Sequence, residues 1–238
     1  MKKTYLIINL FVLTACYRCP GMETVKPVLH LSFDKDFGKA EIQLSDKYKD
    51  SLKDKKILVS GFQGNALFCG GKRQFGYFLK YHNPPFKDAP FSLTCWFKSR
   101  QSQWLTRLFY YKPSWQSPHG FCIRLNGSQV LLYVYKQGEL IAASSSKSNP
   151  IQQNTWYFLA LVWNGSEWKM YLNGVESETG IPDAQFFKYP GEKVPLHIGG
   201  YNINTNNTFQ GLIDEIKFYS TPLTKEQVLS LLDKESEK

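Results

Sequence analysis

Two stretches of this chain combine flat aromatic rings with hydrogen-bonding side chains among turn-forming residues. The first runs from Gln103-Trp104-Leu-Thr-Arg107 through Tyr110-Tyr111 to Pro113-Ser-Trp115-Gln-Ser-Pro-His119, and the second is Tyr201-Asn202-Ile-Asn204-Thr-Asn206-Asn207. Aromatic rings stack on the apolar faces of sugars, and Arg, Asn and His bond the surrounding hydroxyls. Trp104, Arg107, Tyr110, Tyr111, Trp115, His119, Tyr201, Asn202 and Asn204 are therefore the candidate ligand-binding residues. Trp115 carries the strongest expectation, because Pro113, Ser114, Ser117 and Pro118 put it in a loop. Trp104, Tyr110 and Tyr111 have a competing placement between packed sheets, where large rings commonly sit. Arg124 and Tyr133 are further candidates for an outer sheet face.

Other chemistries find less support. A zinc site needs four ligands at recognisable spacing, whereas His30, His82, His119 and His197 are scattered singly. Cys19, Cys69, Cys95 and Cys122 form no C-x-x-C pair within the domain, and nothing compels a disulfide. In Phe91-Ser-Leu-Thr-Cys95-Trp-Phe97, alternation puts Cys95 with Phe91, Leu93 and Phe97, the place of a small packed thiol. No Gly-x-Ser-x-Gly elbow or Cys/His arrangement suggests a nucleophile.

The start of the chain reads as an export signal. Lys2 and Lys3 precede an apolar run over residues 5–12, and Leu13-Thr-Ala-Cys16 follows. That tetrapeptide resembles the bacterial lipobox, which implies lipid attachment at Cys16 and a membrane anchor; the alternative is an ordinary secretory signal and a secreted domain. Residues 1–15 form the signal, 16–24 a tether, and 25–234 one domain. The apolar run is too short for a membrane-spanning helix, which needs about 20 residues. Without residues 1–15, the chain's 29 Lys and Arg become 27 against 20 acids, a net +7. Its densest run, residues 46–56, interleaves five lysines with Asp46, Asp50 and Asp54, so nucleic acid is not an expected partner.

The elements that must position the candidates are strands. Runs rich in aromatic and β-branched residues cover 28–33, 66–68, 91–98, 107–111, 121–125, 130–136, 156–163, 169–172, 196–198 and 212–219. Asn126-Gly127, Asn164-Gly165 and Asn173-Gly174 predict tight hairpins between neighbours. Successive hairpins make an antiparallel meander that buries one face, which predicts an all-β, two-sheet sandwich. One helix is predicted at the end, where Thr224-Lys-Glu-Gln227 fits a capping box before Val228, Leu229, Leu231 and Leu232. It is expected to clasp the sandwich edge.

Taken in order, Leu29-His-Leu-Ser-Phe-Asp34, Gly61-Phe-Gln-Gly-Asn-Ala-Leu-Phe68, Phe91-Ser-Leu-Thr-Cys-Trp-Phe97, Trp156-Tyr-Phe-Leu-Ala160, Met170-Tyr-Leu-Asn-Gly174, Ile198-Gly199 and Phe209-Gln-Gly-Leu-Ile-Asp-Glu-Ile216 resemble the LamG-like jelly-roll family of the concanavalin A-like lectin and glucanase superfamily. The resemblance implies two curved antiparallel sheets, adjacent first and last strands, and glycan or protein binding. Glycan-cleaving relatives need two carboxylates flanking the scissile bond. The laminarinase-type pattern Glu-x-Asp-x-x-Glu is not completed by Leu212-Ile-Asp-Glu-Ile-Lys-Phe218, so catalysis is not expected.

Strict alternation in that last run puts Asp214 on the face of Leu212, Ile216 and Phe218, so the buried carboxylate needs partners or a bulge. Backbone donors near Asp34 are the first expectation for Asp214 and Glu215. The second is calcium, which some relatives bind, with Asp34 and Asp36 as ligands. Together these readings anticipate a non-catalytic glycan-binding or adhesive domain displayed from a bacterial envelope, its partner a polysaccharide or glycoprotein glycan. The alternatives are a protein-binding structural lipoprotein and a glycoside-cleaving enzyme.

Overall fold

The computed structural model describes residues 25–35, 40–43, 57–70, 78–82, 84–85, 89–100, 103–112, 120–136, 139–179, 194–201 and 208–236. Within them two eight-stranded antiparallel sheets face each other. The first sheet runs β13 (Val175–Glu176), β12 (Trp168–Leu172), β11 (Trp156–Trp163), β6 (Phe91–Ser99), β16 (Gly211–Tyr219), β4 (Asn65–Cys69) and β3 (Leu58–Ser60), and β1 (Leu29–Leu31) also pairs with β16. The second runs β14 (Glu178–Thr179), β10 (Glu139–Ser145), β9 (Gln129–Lys136), β8 (Gly120–Gly127), β7 (Gln103–Tyr111), β15 (Leu196–Ile198), β5 (Phe78–Tyr81) and β2 (Ala40–Gln43). The pairing of β1 with β16 joins the first and last strands, as the resemblance implied.

The core lies between the sheets. Phe97, Leu159, Met170, Ile213 and Phe218 from the first sheet meet Phe109, Tyr111, Phe121, Ile123 and Leu132 from the second. Each such side chain contributes roughly 1.5–3 kcal/mol by leaving water. Cys95 is in this core with Phe91, Leu93 and Phe97, as alternation predicted.

The three Asn-Gly pairs behave differently. Asn173 (φ 49°) and Gly174 (φ 75°) are the two turn residues between paired Leu172 and Val175, the positive-φ pair that a type I′ turn requires. Asn126 instead pairs with Gln129, leaving Gly127 (φ 61°) and Ser128 as the turn. Asn164-Gly165 opens a four-residue loop rather than a tight hairpin. There the Asn164 carboxamide oxygen accepts bonds from the Ser166 and Glu167 amides at 2.9 and 2.8 Å.

Helix α1 (Lys225–Ser236) begins with the predicted capping box. The Gln227 amide donates to Thr224 Oγ1 at 3.2 Å, and the Thr224 amide to Gln227 Oε1 at 2.9 Å. The helix does not sit at the sandwich edge. It crosses the outer face of the first sheet, where Val228, Leu231 and Leu232 join Trp96, Phe158, Val162, Tyr171 and Tyr219. The reason is that β6, β11, β12 and β16 carry apolar residues outward as well as inward, and both faces need cover.

A bulge in β16 settles the Asp214 conflict. Asp214 pairs with Trp96 but Lys217 with Thr94, and Glu215 takes φ 50° between them. Asp214 thus points outward with Trp96, while Ile216 and Phe218 return to the core. Its Oδ2 accepts the amides of Phe62 and Gln63 at 2.9 and 3.1 Å, and its Oδ1 that of Glu215 at 2.8 Å. Burial pushes its carboxyl up to about 7 against the pull of those amides. Glu215 lies 2.9 Å from His30 Nε2 and 2.7 Å from Lys217 Nζ, and Lys217 also reaches Glu235 of α1 at 2.6 Å. Burial raises Glu215, but His30 and Lys217 outweigh it and hold the acid below its ordinary range. The Trp96 Nε1–H donates to Glu235 Oε2 at 2.6 Å, and Phe62 stacks on Trp96 at 3.6 Å. This cluster ties the loop before β4, strand β16 and the helix together.

Candidate functional site

The outer face of the second sheet brings polar and aromatic candidates together. Directly paired residues on neighbouring strands share a face. Register therefore sets Tyr133, Cys122, Tyr110, His197 and Lys80 in one row across β9, β8, β7, β15 and β5. Beside it Arg107 pairs with Arg124, which pairs with Leu131. The next inward-facing row, Phe109, Ile123 and Leu132, is in the core.

Arg107 joins Tyr110 on this face through a bulge. Arg107 pairs with Arg124 and Phe109 with Ile123, so Leu108 is an extra residue that shifts the alternation. Tyr201 reaches the same place from the end of β15. Gly199 turns the chain there with φ 80°, its amide donating to the Leu108 carbonyl at 2.8 Å. A Cβ at Gly199 would run into Cys69 Sγ, so glycine is needed for the approach.

The resulting contacts are close. Tyr110 and Tyr201 rings lie 4.0 Å apart, and His197 sits edge-on to both at 5.9 and 5.3 Å. The Arg107 guanidinium carbon is 5.4 Å from the Tyr110 centroid and 5.6 Å from that of Tyr201. Arg124 lies 3.7 Å over Tyr133, and Lys112 Nζ 3.9 Å over Tyr135. Each cation–π contact contributes about 0.5–2 kcal/mol, more where water is excluded, and fixes a charged group that would otherwise sample many rotamers.

Tyr110, Cys122, Lys112 and His197 form a buried floor, while Arg107, Arg124, Tyr133, Tyr135 and Tyr201 remain partly exposed. Burial lowers His197 to about 4, leaving a neutral imidazole at neutral pH. Burial also pushes the Cys122 thiol up, with Arg107, Arg124 and Lys112 pulling it back, so it stays protonated. The face thus offers ring surfaces, fixed guanidinium donors and no ionised nucleophile among these groups.

Of the predicted residues, Arg107, Tyr110 and Tyr201 are brought together here, with Arg124 and Tyr133 beside them. Tyr111 is a correction: it points into the core, fully buried and 5.7 Å from Phe121, because it follows Tyr110 by one residue on a regular stretch of strand. The predicted strand over 107–111 extends back to Gln103 as β7, so residues 103–106 are strand rather than loop, and Trp104 pairs with Asn126. Trp115, His119, Asn202, Asn204, Asp36 and Cys16 lie outside the described residues. Asp34 accepts the Asn65 amide at 3.0 Å, and among the described residues no three His, Cys, Asp or Glu side chains gather as a metal site. Sequence reasoning missed His197, Lys112 and Tyr135. The Lys112–Tyr135 contact spans two successive pairings, β7 with β8 and β8 with β9, and His197 joins only through the long-range β7–β15 pairing.

A laminin G-type family profile, described as Concanavalin A-like lectin/glucanases superfamily, matches residues 75–229. Domain 4 of AbnA, an extracellular GH43 arabinanase from Geobacillus stearothermophilus, solved in complex with arabinotriose, superimposes with a TM-score of 0.61 and 22% identity. That match covers 88% of this chain and 100% of the arabinanase domain. The binding domain of botulinum neurotoxin serotype D gives 0.57 at 16% identity, covering 87% of this chain and 50% of the toxin domain. The binding domain of Paraclostridial Mosquitocidal Protein 1 gives 0.59 at 13%, covering 82% and 47%. This chain therefore spans about half the length of those two toxin domains. No curated protein matches it by sequence.

Proposed function

This chain belongs to the concanavalin A-like lectin/glucanase superfamily, and we propose that within it the protein is a non-catalytic glycan-binding domain. One observation carries the reading: Tyr110, Tyr201, Arg107, Arg124 and Tyr133 form a continuous aromatic and guanidinium surface on the outer face of the second sheet. Tyr201 and Tyr133 stack on sugar rings and the guanidinium groups donate to ring substituents. Support comes from the arabinanase domain, which has the same fold along its whole length and was solved with arabinotriose. The acids at 214, 215 and 235 have structural partners, which favours binding over glycoside cleavage.

Affinity electrophoresis through gels containing arabinan, laminarin, polygalacturonate or dextran sulfate tests the reading. Retardation by at least one gel, abolished in Tyr201→Ala, is expected. Unretarded migration through all four, with the wild-type melting temperature intact, would overturn it.

A second reading, a protein-binding role through the same face, is favoured by the similarity to toxin binding domains. We place the domain outside the cytoplasm, lipid-anchored through Cys16, on the pattern of residues 1–16. Labelled palmitate should mark the wild type and not Cys16→Ser; an unlabelled wild type would make the protein a secreted one.

A further inference from the structure

We infer that the glycan taken by the second sheet's outer face is acidic, bearing uronate carboxylates or sulfate esters that Arg107 and Arg124 bind directly. The inference rests on the glycan-binding reading and narrows it to a ligand class. Its first support is the charge pattern. Residues 103–135, which include β7, β8 and all but the last residue of β9, contain Arg107, Lys112 and Arg124 and not one Asp or Glu, in a chain that holds 20 acids; the next cation, Lys136, has Glu139 as its cross-strand partner. Residues 194–213, which bring in β15 and Tyr201, also lack acids. On the first sheet Lys169 lies near Glu167 and Glu176, and Lys217 between Glu215 and Glu235.

The second support is how the cations are held. Arg107 and Arg124 are direct cross-strand partners, an arrangement in which like charges repel. Lys112 rests on Tyr135, two residues along β9 from Tyr133, so three cations share this part of the sheet. Arg124 rests on the Tyr133 ring, has no carboxylate partner among the described residues, and keeps a buried Nε without a hydrogen-bond acceptor. Burying such a donor unsatisfied is unfavourable, because it gives up its bond to water and gains none in return. An anionic group on the ligand relieves the repulsion and supplies charge-assisted bonds, which a neutral hydroxyl does far more weakly. Partial withdrawal from water strengthens the interaction further. A sugar backbone stacked along Tyr201 and Tyr133 would carry its substituents past both guanidinium groups.

The test compares polygalacturonate and dextran sulfate with arabinan by titration calorimetry on the full chain at two salt concentrations. Tighter binding of an acidic polymer, weakened about tenfold or more between 0.05 and 0.5 M salt, is expected. Arg124→Gln should lower that affinity about tenfold and Arg124→Lys less, while Lys98→Gln and Lys169→Gln on the other sheet leave it unchanged. Equal, salt-insensitive binding of arabinan would overturn the acidic ligand and leave the glycan reading standing. Equal binding of duplex DNA, or equal losses in the other-sheet variants, would reduce the effect to net charge and overturn it too. Binding of none of the polymers sinks both. If Arg124→Gln melts early, Arg107→Gln and the wild-type salt dependence decide.

Discussion

Arg107 and Tyr110 stand three residues apart on β7 and share one face of the sheet, with the guanidinium carbon 5.4 Å from the ring centroid, because Leu108 is the extra residue of a bulge. The bulge separates Tyr110 from Tyr111 in role as well as direction. One builds the floor of the candidate site, and the other fills the core.

Replacing the tyrosines should therefore give opposite phenotypes. Tyr111→Ala leaves a cavity among Phe121 and its neighbours and should destabilise the fold by about 3–5 kcal/mol, read from urea unfolding. Tyr201→Ala removes a half-buried ring from the edge of the site and should cost about 1–2 kcal/mol, well below Tyr111→Ala, while abolishing gel retardation. Equal stability losses in the two variants would contradict the assignment of faces.

The local signals in the sequence were sound where one stretch of chain decides the structure. Thr224 and Gln227 form their capping box and Asn173-Gly174 makes its turn from residues within four positions. Asn126-Gly127 and Asn164-Gly165 mark a turn but are offset by one residue or open a longer loop, because the pairing of the flanking strands sets where each turn closes. Alternation failed at Glu215, and it gives no warning of the bulge at Leu108, because one added residue reverses every later side chain and leaves no compositional trace. The helix position was illegible for a different reason. Trp96, Phe158 and Tyr171 face outward on strands whose inner faces are equally apolar, so hydrophobicity did not tell which side the helix would cover.

Asp214→Asn should destabilise the protein by about 1–3 kcal/mol, because the new amide turns donors toward one of the amides of Phe62, Gln63 or Glu215. The pH dependence has a definite sign. The folded carboxyl titrates near 7 against an ordinary 3.8, so its contribution is full below about 4 and fades as pH rises through 7. The stability gap between wild type and Asp214→Asn should narrow over that interval in denaturant titrations. A gap that stays constant between pH 4 and 7 would mean that the three amides dominate and the folded acid is ionised throughout.

His197 works in the other direction. Burial holds its imidazole near 4 against an ordinary 6.5, so the folded protein resists a proton that the unfolded chain accepts. Stability present above pH 6.5 should fall as pH drops toward 4, by on the order of 3 kcal/mol from this group. His197→Gln should flatten that part of the profile. Identical slopes for variant and wild type between pH 6.5 and 4 would show that the imidazole becomes protonated in the folded state.

Glu235 is where the C-terminal helix is locked to the sheet. One carboxylate oxygen accepts the Trp96 indole N–H at 2.6 Å, and the other meets Lys217 at the same distance. Glu235→Ala leaves Lys217, almost buried, with Glu215 as its remaining acid and strips Trp96 of its acceptor. The expected loss is about 3 kcal/mol, the range for breaking one side of a buried ion pair. Glu235→Gln keeps an acceptor for the indole and should lose less, so the difference between the variants isolates the charge. Lifting the helix would also wet Trp96 and Phe62, shifting tryptophan emission to the red before the core unfolds. If both variants unfold within about 0.5 kcal/mol of wild type, the apolar contacts of Val228, Leu231 and Leu232 hold the helix without the ion pair.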